Sequence, residues 1–177
     1  PDVVLTSDAK VIEKADKIVL PGVGAFGDCM KNFEQSGLKN SVLEAIEQGK
    51  PVMGICVGEQ IMFEGSEESP EVKGLGIFKG MVKKINAPGL KIPHMGWNSL
   101  KLQKPCVLFE GIEPDAQYYF VHGYYPAPAS EYVLCTTNYG NDFCSVYGKD
   151  ALWAVQFHPE KSGRPGLALL RNFYVYC

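Results

Sequence analysis

The sequence predicts an α/β fold, with a mixed, largely parallel central sheet flanked by helices and β-hairpins in its second half. Three observations lead there. Through residues 3–63, short and continuously apolar strand-like runs alternate with segments of helical period, as strands buried on both faces and joined by crossover helices require. From Gly74 onward β-like runs follow one another, separated by Gly, Pro, Asn and Asp, the residues of hairpin turns. The 177 residues, 46% hydrophobic and 21% charged, suffice for one domain that buries roughly 70% of its unfolded surface.

Val3, Val4 and Leu5 form a short apolar run, and Asp8 is placed to cap a helix over 9–15. The β-branched run 17–20 predicts a strand that stops at Pro21 and Gly22. Helical period follows over 28–34 and 38–48, and Gly49 closes the second segment. Residues 51–55 read as a buried strand and 57–63 as the helix after it. The β-like runs of the second half are 75–85, 91–100, 117–125, 132–136, 143–147 and 152–157. An amphipathic helix over 166–174 ends the chain. No repeat, linker or domain boundary is visible.

Seventeen Lys and Arg against twenty Asp and Glu leave a charge of −3 with no basic cluster, which argues against nucleic acid as a partner. No apolar run approaches the ~18 residues of a membrane span, and no signal-peptide pattern is present. The chain therefore reads as a soluble, cytoplasmic protein without membrane association. Six cysteines without a CxxC pair and three histidines make neither a disulfide framework nor a metal site, and no cofactor is expected. Most of the thiols read as small core residues.

Cys56 is the exception. GICVG over 54–58, at the end of a buried strand and the start of a helix, has the glycine–x–nucleophile–x–glycine form of a nucleophile elbow, with cysteine in place of serine. Such a turn is too tight for side chains two residues to either side. It lifts the sulfur above the sheet and sets it at a helix N-terminus, where thiolate is favoured over thiol. His158 follows an apolar strand, and Pro159 turns the backbone so that Glu160 can reach one imidazole nitrogen and set the tautomer. His122, inside an aromatic strand without a nearby acid, reads as structural or pocket-lining. His94 precedes an exposed-looking Met95 and Trp97, better suited to a partner surface. The glycine-rich loop 21–27 is open to three readings: a phosphate cradle, an oxyanion-binding loop or a plain turn.

Taken together, segments 20–28 (LPGVGAFGD), 54–60 (GICVGEQ) with 66–68 (SEE), 92–98 (IPHMGWN), 119–125 (YFVHGYY) and 156–163 (QFHPEKSG) resemble the class I, or triad, glutamine amidotransferases, nearest the glutaminase subunits of histidine biosynthesis. They span nearly the whole chain in the family's order, and Leu169, Leu170, Asn172 and Phe173 are similar to its last helix. The resemblance implies a flavodoxin-like sheet and a Cys56–His158–Glu160 triad that hydrolyses glutamine to glutamate and ammonia. It implies oxyanion contacts from Val57 and the loop residues Gly22, Val23 and Gly24. Gln60 and Glu68 would grip the α-groups of glutamine, with backbone at Gly123 and Tyr124 completing the pocket. The resemblance further implies a heterodimer with a (β/α)8-barrel synthase that receives the ammonia and makes imidazole glycerol phosphate and AICAR, with Met95, Trp97 and Lys161 at the interface.

The chain departs from the family at Val57 and Glu59, where Leu and Met are commoner, and at Gly123, where Ser or Thr is usual. Glu59 reads as a first-turn helix residue that adds an interface charge. The resemblance also implies that residues 1–177 form a single domain lacking an N-terminal strand and helix. Three other readings share the motifs: a glutaminase feeding another acceptor such as a surface-sugar amidotransferase, a non-catalytic binding module, and a cysteine hydrolase acting on peptides.

Overall fold

A computed structural model describes residues 2–177. In chain order the first half contains α1 (Ala9–Lys14), β1 (Ile18–Gly22), α2 (Phe26–Gln35), α3 (Lys39–Glu47), β2 (Val52–Cys56), α4 (Val57–Gln60), β3 (Phe63–Ser66) and β4 (Phe78–Lys84). The second half contains β5 (His94–Ser99), β6 (Lys101–Leu102), β7 (Gln117–His122), β8 (Tyr124–Pro126), β9 (Val133–Tyr139), β10 (Asn141–Lys149), β11 (Leu152–Val155) and α5 (Gly163–Tyr176).

The sheet that positions the site has the order β1-β2-β11-β10-β9-β6. β2 sits between β1 and β11, parallel to both, with Gly22 opposite Cys56 and Val155 opposite Ile55. All five residues of β2 are buried, which explains its unbroken apolar run. From β11 onward the pairings are antiparallel through two hairpins, where Gly140 and Asp150 take the positive φ their turns need. A three-stranded sheet β3-β4-β8 and a pair β5-β7 complete the mixed α/β architecture. One cluster holds Phe26, Met30, Met53, Phe63, Phe78, Phe120, Tyr147, Phe157 and Leu169. Each such side chain contributes about 2 kcal/mol by leaving water.

Asp8 caps α1 as expected, its carboxylate accepting the Lys10 N–H at 2.9 Å. Four details differ from the sequence reading. Val3, Val4 and Leu5 lie exposed outside the sheets, with no neighbouring strand among the described residues to take their backbone groups. β1 continues through Pro21 and Gly22, because it is the outer strand of this sheet and an edge tolerates a missing N–H. The helix after Cys56 ends at Gln60 rather than residue 63, and Phe63 opens β3, stacked on Phe78 of β4 at 5.7 Å. α5 starts at Gly163, one turn earlier than its apolar period indicates, directly after the 3-10 turn Pro159–Lys161.

Candidate active site

Cys56 closes β2 with φ 53° and ψ −120°, a region that costs a non-glycine residue about 1–3 kcal/mol. Close approach on every side holds it there. A Cβ on Gly58 would fall on the Leu20 carbonyl, one on Gly54 would come within 2.7 Å of the Glu59 Cα, and one on Gly22 within 2.8 Å of the Val57 carbonyl carbon. The three glycines thus let β1, β2 and α4 meet, and the Val57 N–H turns back on the Cys56 sulfur. The thiol is 4% exposed, and burial pushes its pKa up to about 12; an ionised Glu59 would push it further the same way. This reverses the expectation of a thiolate. α4 has only four residues, too short a helix to offset desolvation with its dipole.

β11 lies beside β2, so the chain leaving Val155 passes over Cys56. The Gln156 side-chain Nε2 lies 3.8 Å from Sγ. Two residues on, the His158 N–H donates to the Tyr119 carbonyl at 2.9 Å, and the His158 carbonyl accepts the Ser162 hydroxyl at 2.6 Å. The Tyr119 N–H closes the loop onto Ser162 Oγ at 2.9 Å. The 3-10 turn begun by Pro159 brings Glu160 round to His158, Oε1 standing 2.7 Å from Nδ1. A carboxylate there keeps the proton on Nδ1 and leaves Nε2 free to act as a base. The imidazole is buried while half of the Glu160 side chain meets solvent.

The other predicted residues divide. Gln60 is buried, and its NH2 is fully spent on the Tyr124 carbonyl at 3.0 Å and Gln156 Oε1 at 2.9 Å, so it can offer a ligand only its oxygen. Glu68 accepts the Phe26 N–H at 2.7 Å, anchoring the start of α2 just after the loop. Val23 is 72% exposed and its carbonyl accepts the Cys29 thiol at 3.2 Å, while Gly24 has φ 100°. Gly123 leaves room for a side chain, the nearest atom to a Cβ being Ile92 at 3.9 Å. Met95 and Trp97 share the exposed face of β5, and Trp97 meets Tyr119 edge-on at 5.9 Å, next to the Tyr119–His158 bridge. Lys161 is exposed close by. Glu59 is wholly buried and cannot be an interface charge: the short α4 turns it inward under the elbow. Of the cysteines, Cys56, Cys135 and Cys144 are buried, and Cys29, Cys106 and Cys177 are only partly so.

His122 is buried, in line with a structural or pocket-lining role, but His94, read as part of a partner surface, is buried too and pairs with it. The pleat of β5 turns His94 inward while its neighbour Met95 faces out, a period-two signal that the residues do carry. His122 Nδ1 donates to the Tyr124 carbonyl at 2.8 Å, which leaves its Nε2 to accept from His94 Nδ1 at 3.1 Å; His94 Nε2 faces the Asn98 amide at 3.3 Å. Burial lowers both pKa values from 6.5, to about 4 for His94 and about 3 for His122. The folded state therefore binds fewer protons than the unfolded one once the pH falls below 6.5. Stability should be full above that point and drain away as the pH falls toward 4 for His94 and 3 for His122, by about 2 kcal/mol per histidine near pH 5. Denaturant titrations at neutral and mildly acid pH check this.

The family model described as glutamine amidotransferase class-I matches residues 2–177. Imidazole glycerol phosphate synthase subunit HisH of Nitratidesulfovibrio vulgaris is 51% identical over 181 residues, covering 98% of this chain and 85% of that protein. The subunit of the same name from Thermococcus kodakarensis is 50% identical over 175 residues, covering 96% and 88%. A solved structure described as a glutamine amidotransferase superposes with a TM-score of 0.71 at 21% identity, covering 96% of this chain and 85% of that one. The glutaminase domain of Trypanosoma brucei CTPS with bound acivicin superposes at 0.60 with 16% identity, covering 94% and 74%. At such identities the structural likeness shows the fold alone.

Proposed function

The chain belongs to the class-I glutamine amidotransferases and is an enzyme of that kind; on this premise we propose that it is the glutaminase subunit of an imidazole glycerol phosphate synthase, in which Cys56, His158 and Glu160 are the catalytic residues. The observation that carries the reading is the strained Cys56 elbow closing β2, with the adjacent strand β11 leading three residues on to His158, whose Nδ1 is held by a carboxylate at 2.7 Å.

Because the resting sulfur is a thiol, His158 Nε2 takes its proton as the sulfur attacks the side-chain amide carbon of glutamine. The Val57 N–H and the backbone of Gly22, Val23 and Gly24 receive the oxyanion. The imidazolium, steadied by Glu160, gives its proton to the departing nitrogen, so ammonia leaves and a glutamyl thioester remains. Water, deprotonated by His158 Nε2, attacks the thioester carbonyl; the C–S bond breaks, glutamate leaves, and the imidazolium returns its proton to the sulfur. Gln60 offers its carbonyl oxygen to the substrate ammonium, and Glu68 with the backbone of Gly123 and Tyr124 bounds the rest of the pocket.

The partner is a synthase subunit of (β/α)8-barrel type, joined as a heterodimer through Met95, Trp97 and Lys161, and it uses the ammonia to make imidazole glycerol phosphate and AICAR. An exposed Met and Trp on one strand face beside the catalytic histidine support a docking surface there. The same reading sets the enzyme in the cytoplasm, a reducing compartment suited to six free thiols. The test is glutamate release measured alone and with a synthase subunit and its nucleotide. Strong stimulation by that subunit, together with rescue of a histidine auxotroph lacking its own glutaminase, is the expected result. Equal stimulation by an unrelated acceptor enzyme, without rescue, would overturn the assignment.

A further inference from the structure

Beneath the elbow, the Glu59 carboxyl group has no exposed surface, and its Oε2 has no hydrogen-bond partner among the described residues. Its Oε1 lies 3.1 Å from one terminal atom of the Gln156 amide. The same amide atom is 2.9 Å from Gln60 Nε2 and 3.2 Å from the Tyr124 carbonyl oxygen. Gln60 Nε2 is itself fixed as nitrogen by its bond to the Tyr124 carbonyl at 3.0 Å, so the Gln156 atom it reaches must be an acceptor, the amide oxygen. The Gln156 and Tyr124 oxygens share the Gln60 NH2 as donor, but the Gln156 and Glu59 oxygens, 3.1 Å apart, repel unless a proton lies between them.

The amide itself has no proton to give from that oxygen, so Glu59 must supply it. With the oxygen held by Gln60 and Glu59, the Gln156 NH2 is left facing the Cys56 sulfur at 3.8 Å. The reverse arrangement, with Glu59 ionised, would turn the NH2 toward Glu59 and the Tyr124 carbonyl. It would also press that NH2 against the NH2 of Gln60 and set a carbonyl oxygen on the nucleophile.

We propose that Glu59, as a carboxylic acid, is a positioning residue that locks the Gln156 amide with its NH2 toward the Cys56 sulfur, and so favours the sulfur anion that forms as the proton leaves. An N–H facing the sulfur stabilises developing negative charge, whereas a carbonyl oxygen and a second carboxylate beneath it would oppose that charge. The titratable groups that face Glu59 are Cys56 at the elbow and Cys144 and Tyr147 on β10; all are acids, and none brings a positive charge that would ionise it. Tyr147 donates its hydroxyl to the Glu59 backbone carbonyl at 2.9 Å. Complete desolvation pushes the carboxyl pKa well above the usual carboxylate range.

The inference rests on Cys56 being the nucleophile, and two readouts in the intact protein separate the claims. The first is the pH profile of Cys56 alkylation by iodoacetamide, followed by peptide mass spectrometry. Glu59→Gln retains a neutral N–H donor toward the Gln156 oxygen and should follow the wild-type profile. Glu59→Leu lacks it and should react about tenfold more slowly at a fixed pH. A Leu variant that follows the wild type, or a Gln variant as slow as Leu, would overturn the positioning role. Failure of wild-type Cys56 to react at all would instead overturn the nucleophile reading. The second readout is the infrared difference spectrum of wild type against Glu59→Gln, which needs no catalysis and no Leu variant. A protonated-carboxyl C=O band assigned to Glu59 is expected, and carboxylate bands in its place would sink the inference.

Discussion

Cys56→Ala is expected to lower glutamine hydrolysis by more than about 10⁴-fold while leaving the fold intact. Without the sulfur there is no thioester, and His158 can only direct water at an unactivated amide, a far slower route. Structurally the change is small, because alanine fills the same buried space less one atom and keeps the same strained φ of 53°. Cys56→Gly separates the two roles of the position. It should be as inactive as alanine, yet at least as stable, since glycine takes positive φ at no steric cost and so relieves about 1 kcal/mol or more. Thermal melts with glutamate-release assays on both variants check this pair of outcomes.

Gly58→Ala should destabilise the protein by more than about 4 kcal/mol, or force the elbow apart and abolish activity. The added Cβ has no side chain to push aside: it meets the backbone carbonyl of Leu20, with the carbonyl carbon at 2.8 Å and that of Pro21 at 2.9 Å. Relief requires β1 to move off α4, which would break the Gly22–Cys56 register that aligns loop 22–24 with the nucleophile. Gly123→Ala is the matched control. Its nearest neighbour is 3.9 Å away, so it should change stability by no more than about 1 kcal/mol. Chemical denaturation of both variants decides whether close backbone approach, rather than glycine content, holds the elbow.

The parts of the site that the sequence reveals are those encoded by neighbours along the chain. Glycines on either side of Cys56 announce a tight turn because no other residue fits there. The order His158, Pro159, Glu160 announces a carboxylate returning to an imidazole, because proline sets the turn. The parts it conceals depend on partners far away. Phe63 reads as the end of a helix because the apolar run Ile61, Met62 and Phe63 has no strand period of its own; it opens β3 by pairing with β4. The acidity of Cys56 follows from burial under segments on both sides, which overrides the pull of a four-residue helix. Glu59 looks solvent-exposed on a helical wheel, yet α4 is too short to present an outer face, and Tyr147 and Gln156 close over it. His94 is hidden by the same logic, its inward turn being set by pairing with His122 across β5 and β7.

The most direct measurement is peptide mass spectrometry after treatment with one equivalent of an electrophilic glutamine analogue. A single adduct is expected on the peptide carrying Cys56, lost in Cys56→Ala and blocked by excess glutamine. It should form faster as the pH rises, because the free thiol is held up to about 12. Modification of the partly exposed Cys29, Cys106 or Cys177 with Cys56 untouched would contradict it.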